Sequence, residues 1–83
     1  MENYSILTIT VYDVDTSYDK VNDLLHQYAG VISLRVGYPI PEKSVAVIFL
    51  IVKTNGDTLG AFSGKLGQIS GIKVKSSTLK ISN

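Results

Sequence analysis

The sequence predicts an α+β fold in which two βαβ halves share one four-stranded antiparallel sheet with both helices on one face. Three observations lead to it: an internal repeat, a strand–helix–strand pattern in each half, and a third strand without a polar residue. Shifting the sequence by 41 positions aligns it with itself without gaps, pairing Leu25 with Leu66 and Gly30 with Gly71. This order is the ferredoxin-like βαββαβ plan, predicted as a single domain over residues 1–83.

The first half begins with a strand over residues 6–12, where apolar residues alternate with threonines. The chain then turns, and Thr16 is predicted to cap the following helix, with an acidic residue at the capping-box spacing. Gly30 is placed where a left-handed residue would end that helix. The second strand is predicted over residues 31–38.

The second half begins after Pro39 and Pro41, which lack the N–H group that a strand ladder needs and therefore mark a connection. The third strand is predicted over residues 45–53, and its first eight residues are all apolar, as a central strand requires. The second helix is predicted over residues 57–69. The last strand, over residues 72–79, carries lysines at two alternate positions, a common feature of exposed edge strands. Right-handed crossovers put the first and third strands in the middle of the sheet.

The composition excludes several classes of function. Eight basic and seven acidic residues give a net charge of +1, which is too balanced for direct nucleic-acid binding. Without cysteine there is no disulfide, thiolate nucleophile or Cys-ligated metal, and one histidine provides no ordinary catalytic triad, so no enzyme is predicted. The N-terminus has no basic segment of a signal peptide, which predicts a cytoplasmic location. The longest apolar run has eight residues, too few to cross a membrane.

The face of the sheet away from the helices is predicted to be apolar. Ile32, Leu34 and Val36 lie on one face of the second strand, and the repeat matches them to the outward Lys73 and Lys75. An apolar outer face needs a partner, so we expect a homo-oligomer, either a dimer or a tetramer. The alternative is a register shift in the second strand that turns these residues inward.

Three glycines form a stripe on the second helix. Gly60, Gly64 and Gly67 lie at i, i+4 and i+7, on the side of the helix opposite its apolar residues. Three mid-helix glycines cost about 3 kcal/mol relative to alanine. A bare stripe lets another backbone or a ligand approach closely, so a second contact or a ligand site is predicted there. The alternative is a poorly formed helix without a contact on that side.

Other polar groups offer weaker candidates for chemistry. On the first helix, the matching stripe carries Asp19, Asp23 and His26, which could ligate a divalent ion. Acidic residues near the start of a helix and a histidine near its end also suit the helix dipole on a solvated face, so neither a metal nor another cofactor is predicted. Asp13 and Asp15 could act as a carboxylate pair, although a turn or capping role is favoured. No catalytic residue is therefore assigned.

Four segments resemble a family of small stand-alone domains, the regulators of the iron-only hydrogenase system. They are RVGYP at residues 35–39, SVAVI at 44–48, GAFSGKLG at 60–67 and GIKVKS at 71–76, and the resemblance extends from Val21 onward. It implies an ACT-like ferredoxin fold, related in shape to the ligand-binding domain of nickel-responsive regulators. It also implies a role in regulating, or accompanying, the production of iron-only hydrogenase. Nickel regulators of that shape use several histidines and a cysteine, so their metal site is not expected here.

Two functions follow from these observations. In the first, a homo-oligomeric regulatory domain binds a small effector between subunits, near the glycine stripe and the turn formed by Asp13, Val14, Asp15 and Thr16. In the second, the chain is a protein-interaction or assembly module without a ligand, and a protein partner supplies any DNA binding or chemistry. A response to metabolites would favour the first function, and a co-purifying partner without such a response would favour the second.

Overall fold

The computed structural model describes residues 2–81, which form a four-stranded antiparallel sheet and two α-helices. The strands are β1 (Asn3–Val11), β2 (Ile32–Ile40), β3 (Val45–Thr54) and β4 (Ile72–Thr78), and the helices are α1 (Val14–Gln27) and α2 (Gly56–Gly67). The strand order is β2-β3-β1-β4, and all neighbouring strands are antiparallel. The predicted ferredoxin-like βαββαβ fold, with the first and third strands central, is confirmed.

The inner face of the sheet packs against both helices and forms the core. Alternate residues of β1 and β3 point to this face, as expected for strands with one side buried. Tyr28 of the α1 C-cap stacks on Phe62 of α2, with ring centroids 4.4 Å apart. The apolar side chains that are at most 1% exposed are Leu7, Ile9, Val11, Val21, Leu25, Ile48, Leu50, Val52, Phe62 and Leu66.

The outer face of the sheet has the opposite parity and remains exposed. Six large apolar side chains on it are between 37% and 63% exposed: Tyr4, Ile6, Leu34, Val36, Tyr38 and Phe49. Val45, Val47 and Ile51 lie between them and are half-buried. We call these nine residues the outer patch.

A β-bulge in β2 turns one residue of the predicted outer face, Ile32, to the inner face. Ile32 pairs with Val52, whereas Leu34 pairs with Ile51, so Ser33 is an extra residue in β2. One extra residue reverses the parity of everything beyond it. Ile32 therefore packs half-buried against the core, and its predicted place on the outer face is wrong. Leu34 and Val36, which follow the bulge, point outward.

The start of α1 also differs from the prediction. The N-cap is Asp13 instead of Thr16, and the N–H of Val14 donates to the carbonyl of Ser44 at 3.0 Å. That bond satisfies one of the N–H groups that a helix start leaves free, so the helix begins at Val14 and includes Thr16.

The end of α1 lacks the predicted left-handed glycine. The helix ends at Gln27, and a 3-10 turn over Ala29–Val31 leads into β2. The glycine with a positive φ in the described residues is Gly71, the repeat counterpart of Gly30, with φ of 81°. Within residues 2–81, neither helix is long and apolar enough to cross a membrane.

Candidate functional site

A cavity of about 450 Å³ lies between the first turn of α1 and the inner side of the β2–β3 hairpin. Its size falls within the range of small-molecule sites, roughly 300–1,000 Å³. The lining residues are Val14, Asp15, Tyr18, Gly37, Tyr38, Pro39, Pro41, Ser44, Val45, Ala46 and Ile48. We call this space the hairpin cavity.

The hairpin cavity exists because the inner side of β2 loses its side-chain cover at Gly37. One inner position earlier, the Arg35 guanidinium donates to Oδ1 of Asn22 on α1 at 2.8 Å, so strand and helix are bridged there. At Gly37 there is no side chain, and an added Cβ would meet no atom within 4 Å. Ala46 and Ile48 of β3, which belong to the buried core, form the floor of the cavity at this point.

Few polar groups line the hairpin cavity. Among the described residues that line it, Asp15 is the only charged one, and it is exposed near the start of α1. Tyr18 follows it by about one helical turn and is partly buried, while Tyr38 is 63% exposed on β2. Because Lys, Arg and His are all missing from the lining, the side chains of this cavity offer a negative charge and two phenol rings but no cation.

Ser44 holds one rim of the cavity in an unusual backbone conformation. Its φ of 53° and ψ of 34° are left-handed, which is uncommon for a residue other than glycine. The carbonyl of Ser44 accepts the Val14 N–H at 3.0 Å, so the β2–β3 connection is tied directly to the first turn of α1. This bond fixes the distance between the two walls of the cavity.

A second anchor holds the start of α1 against β4. Ser17 is 4% exposed, and its hydroxyl donates to the carbonyl of Ser70 at 2.6 Å. The next residue, Gly71, is left-handed, and an added Cβ would lie 2.9 Å from the Ser17 oxygen. The first turns of α1 are thus positioned from both sides.

Only some of the residues predicted to form the ligand site lie together in the structure. Of the predicted turn residues, Val14 and Asp15 line the cavity, whereas Asp13 and Thr16 do not. The N–H of Thr16 bonds to the carbonyl of Asp13 at 3.3 Å, so both belong to the first turn of the helix. The three glycines of the stripe are exposed on α2 and contribute nothing to the cavity: Gly60, Gly64 and Gly67.

The glycine stripe is open space on the outside of α2. An added Cβ at any of its three positions would meet no atom within 4 Å beyond the helix's own backbone. Nothing within the described chain therefore requires glycine there. The stripe stays a predicted contact, separate from the hairpin cavity.

The outer patch is the second candidate site, and cations border it. Lys53 lies at one end of β3, with its Nζ 5.6 Å from the centre of the Tyr4 ring. Lys73 and Lys75 lie outward on β4, at the opposite edge of the sheet from β2. The outward positions of the four strands hold no acidic residue.

The candidate metal ligands on α1 remain on the surface. Asp19, Asp23 and His26 are all exposed. In residues 2–81 no three His, Cys, Asp or Glu side chains lie close enough together to hold a metal ion.

Most of the residues that line the cavity were not predicted from the sequence. The predicted second strand ends at Tyr38, with Pro39 in the connection, and no role in a site was predicted for Tyr18. In the structure Pro39 lies within β2, paired with Ala46 on an edge strand, where a missing N–H is tolerated. Gly37 inside a strand was the available signal, because such a glycine often marks a close approach by a ligand or another backbone.

Comparison with known proteins identifies the family. The TM1266-like family, described as "Iron-only hydrogenase system regulator, putative", matches residues 3–76. The structure of the uncharacterized protein TM1266 from Thermotoga maritima is similar, with 54% identity and a TM-score of 0.92, covering 96% of this chain and 100% of that one. A search of curated proteins gave no significant match.

A more distant structure shows the fold alone. The ACT domain from the GTP pyrophosphokinase of Chlorobium tepidum superposes with a TM-score of 0.77 at 15% identity, covering 93% of this chain and 100% of that domain. The ACT-like fold implied by the family resemblance of the sequence is thereby confirmed. Since the family match covers most of the sequence, including those segments, this chain belongs to the TM1266-like family of iron-only hydrogenase system regulators.

Proposed function

We propose that this protein is a non-catalytic regulatory domain that self-associates through the outer patch and binds a small effector in the hairpin cavity. The uncovered outer patch is the observation that carries the proposal, and membership of a regulator family supports the regulatory role. The ACT-like fold is compatible with such a role without requiring it, because fold alone does not assign function.

The outer patch is large enough to form the apolar core of an interface. Its six exposed side chains present on the order of 500 Å² of mostly apolar surface, close to the largest patches found on ordinary monomers. Burying that area contributes about 12 kcal/mol gross at 25 cal/mol per Å². Association costs are roughly 4–15 kcal/mol, so flanking surface must also be buried to approach the roughly 800 Å² per partner of a stable interface.

The charges on the outer face suggest how two copies meet. The apolar residues are concentrated on β2 and β3, whereas Lys73 and Lys75 lie on β4 at the far edge. A two-fold contact centred on β2 and β3 would bury the apolar part and leave these lysines at the rim. A contact centred on β1 would bring lysines of both copies into the interface, which like-charge repulsion opposes.

The hairpin cavity adjoins the outer patch. Tyr38 and Val45 belong to both, since each lines the cavity and each has outward parity in its strand. A ligand that contacts these residues changes the surface offered to a second copy. By linkage, any effect of the ligand on assembly must be matched by an equal effect of assembly on ligand affinity.

Light scattering tests the self-association. The wild-type mass at micromolar concentration should be that of a dimer or a tetramer of the 9.0 kDa chain. Leu34→Lys places a charge inside the outer patch and should lower that mass, whereas Gln27→Lys adds the same charge at the exposed end of α1 and should not. A wild-type mass of 9.0 kDa would contradict self-association.

A second function is favoured by the cations around the patch. An apolar surface bordered by Lys53, Lys73 and Lys75 without an outward acid also suits another protein with an acidic rim. In that case the chain is an assembly module without a ligand. A monomeric wild type, with a melting temperature unchanged by a metabolite panel, would favour this function.

A further inference from the structure

We propose that the hairpin cavity binds a small organic cation, namely a protonated amine or quaternary ammonium carried on an apolar or aromatic body. The inference rests on the proposed effector role and specifies the chemistry of the ligand. It follows from the charge, the rings and the free space of the cavity.

The charge of the lining favours a positively charged ligand. Within residues 2–81, Asp15 is the only ionisable acid or base in the lining apart from the tyrosine phenols. Glu42 and Lys43 follow Pro41 in the same short turn and offset each other, and neither lines the cavity. A cationic ligand therefore meets a carboxylate, whereas an anionic ligand meets the same carboxylate without a compensating cation.

The aromatic rings of the lining add a second preference for a cation. Tyr18 and Tyr38 come from opposite walls, one from α1 and the other from β2. The face of a phenol ring attracts an ammonium group, which is the basis of many amine-binding sites. The same chain already places lysine ammonium groups over the rings of Tyr4 and Tyr28, at 5.6 and 5.5 Å from the ring centres.

The positive end of α1 could in principle attract an anion instead, but its first turn is largely satisfied. The Val14 N–H bonds to the Ser44 carbonyl and the Thr16 N–H bonds to the Asp13 carbonyl. The carboxylates of Asp13 and Asp15 already complement the helix dipole. A ligand carboxylate or phosphate would therefore find few free donors and two nearby negative charges.

The apolar surface sets the body of the ligand. Val14 and Val45 are half-buried and provide aliphatic surface, and the missing side chain of Gly37 provides room. A volume of about 450 Å³ accommodates an aromatic ring with a short chain.

Three probes that share one phenylalkyl body separate the alternatives: 2-phenylethylamine, 2-phenylethanol and 3-phenylpropionate. Each is titrated into ¹⁵N-labelled full-length protein, and the amide shifts of residues 14–18, 37 and 44–46 are followed. The amine should bind about fivefold tighter than the alcohol and at least tenfold tighter than the carboxylate, as expected for one carboxylate and a cation–π contact.

Three variants localise the effect. Asp15→Asn should bring the amine to within about twofold of the alcohol, whereas Asp19→Asn, an exposed acid of the same helix outside the lining, should leave the preference unchanged. Gly37→Val fills the cavity and should abolish the shifts from all three probes. Amide spectra of the free variants show whether each one keeps its fold.

The possible outcomes are distinct. Equal or tighter binding of the carboxylate would overturn the cation assignment and leave the cavity as an effector site. An amine preference that stays at about fivefold in Asp15→Asn would overturn the role of that carboxylate and with it the inference. Absence of cavity shifts from all three probes at millimolar concentration would overturn the inference, while self-association, measured separately by light scattering, would stand.

Discussion

The two faces of the sheet are both apolar, yet the chain covers only one of them. On the inner face, α1 and α2 bury residues such as Leu50 and Phe62 to 1% exposure or less. On the outer face, Phe49 is 43% exposed one residue away from Leu50. The helices of a βαββαβ fold lie on one side, so an apolar third strand leaves half of its side chains without cover from its own chain. The difference separates what stabilises the monomer from what is available for a partner.

The boundary between the two faces is where the hairpin cavity lies. Inner positions of β2 end in Gly37 and Pro39, which α1 does not cover. Outer positions of the same segment include Tyr38, which belongs to the outer patch. A single short segment therefore contributes to a cavity on one face and to an apolar surface on the other.

The largest difference is expected between truncating Phe62 of α2, which packs on the inner face, and truncating Phe49 on the outer face. Phe62→Ala removes a fully buried ring that stacks on Tyr28, and should lower the free energy of unfolding by about 3–5 kcal/mol. Phe49→Ala, on the outer face, should cost about 1 kcal/mol or less in the monomer. Urea denaturation at low protein concentration measures both with little contribution from assembly. Equal losses would mean that the outer face is buried in the species measured.

A second comparison concerns two glycines at matching positions of the repeat, Gly71 and Gly30, whose backbone conformations differ. Gly71→Ala must adopt a φ of 81° and places a Cβ 2.9 Å from the Ser17 oxygen, so it should destabilise by about 1–3 kcal/mol. Gly30→Ala changes the repeat counterpart, which is not left-handed and has open space around it. That variant should be within about 0.5 kcal/mol of the wild type. Thermal unfolding measures the stability of both variants. A Gly71→Ala variant as stable as the wild type would contradict the role of Ser17 as an anchor.

The two helices that cover the inner face begin differently, which predicts a smaller effect. The Asn55 side chain caps α2 by accepting the Thr58 N–H at 2.8 Å, whereas Asp13 makes no side-chain cap bond at α1. Asn55→Ala should therefore lower the free energy of unfolding by about 1 kcal/mol, and Asp13→Ala by a few tenths. Comparable losses in urea denaturation would indicate that the Asp13 carboxylate does cap α1 in solution.

The sequence predicted the fold well because its signals are distributed over many residues. The 41-residue repeat and the apolar run from Val45 to Val52 each constrain several elements at once, and together they place β1 and β3 in the centre. No single substitution would remove the repeat or the apolar run as a signal of the fold. The strand order therefore followed from pattern alone.

The sites depend on single residues, which pattern does not determine. The bulge at Ser33 moves Ile32 to the inner face, and nothing in the alternation of β2 announces one extra residue. The cavity depends on Gly37 lying at an inner position and on Ser44 bonding to Val14, a contact between residues 30 positions apart. Leu34 and Val36 were predicted to point outward because the repeat matches their strand to the outward lysines of β4. In the structure they do point outward, because both lie beyond the bulge.

The smallest expected effect concerns the side of α2 that faces away from the sheet, where the chain again leaves a surface uncovered. Gly64 has no atom within 4 Å of an added Cβ, so Gly64→Ala should raise the free energy of unfolding by about 0.5–1 kcal/mol, the helix-propensity difference. Ala61→Gly, at an exposed position of the same helix, is the matched reversal and should lower it by a similar amount. Urea denaturation measures both, and light scattering of the same samples reports assembly. If Gly64→Ala were also destabilised, and its molecular mass from light scattering were lower than that of the wild type, the glycine stripe would be in contact with another copy. Self-association would then involve α2 as well as the outer patch.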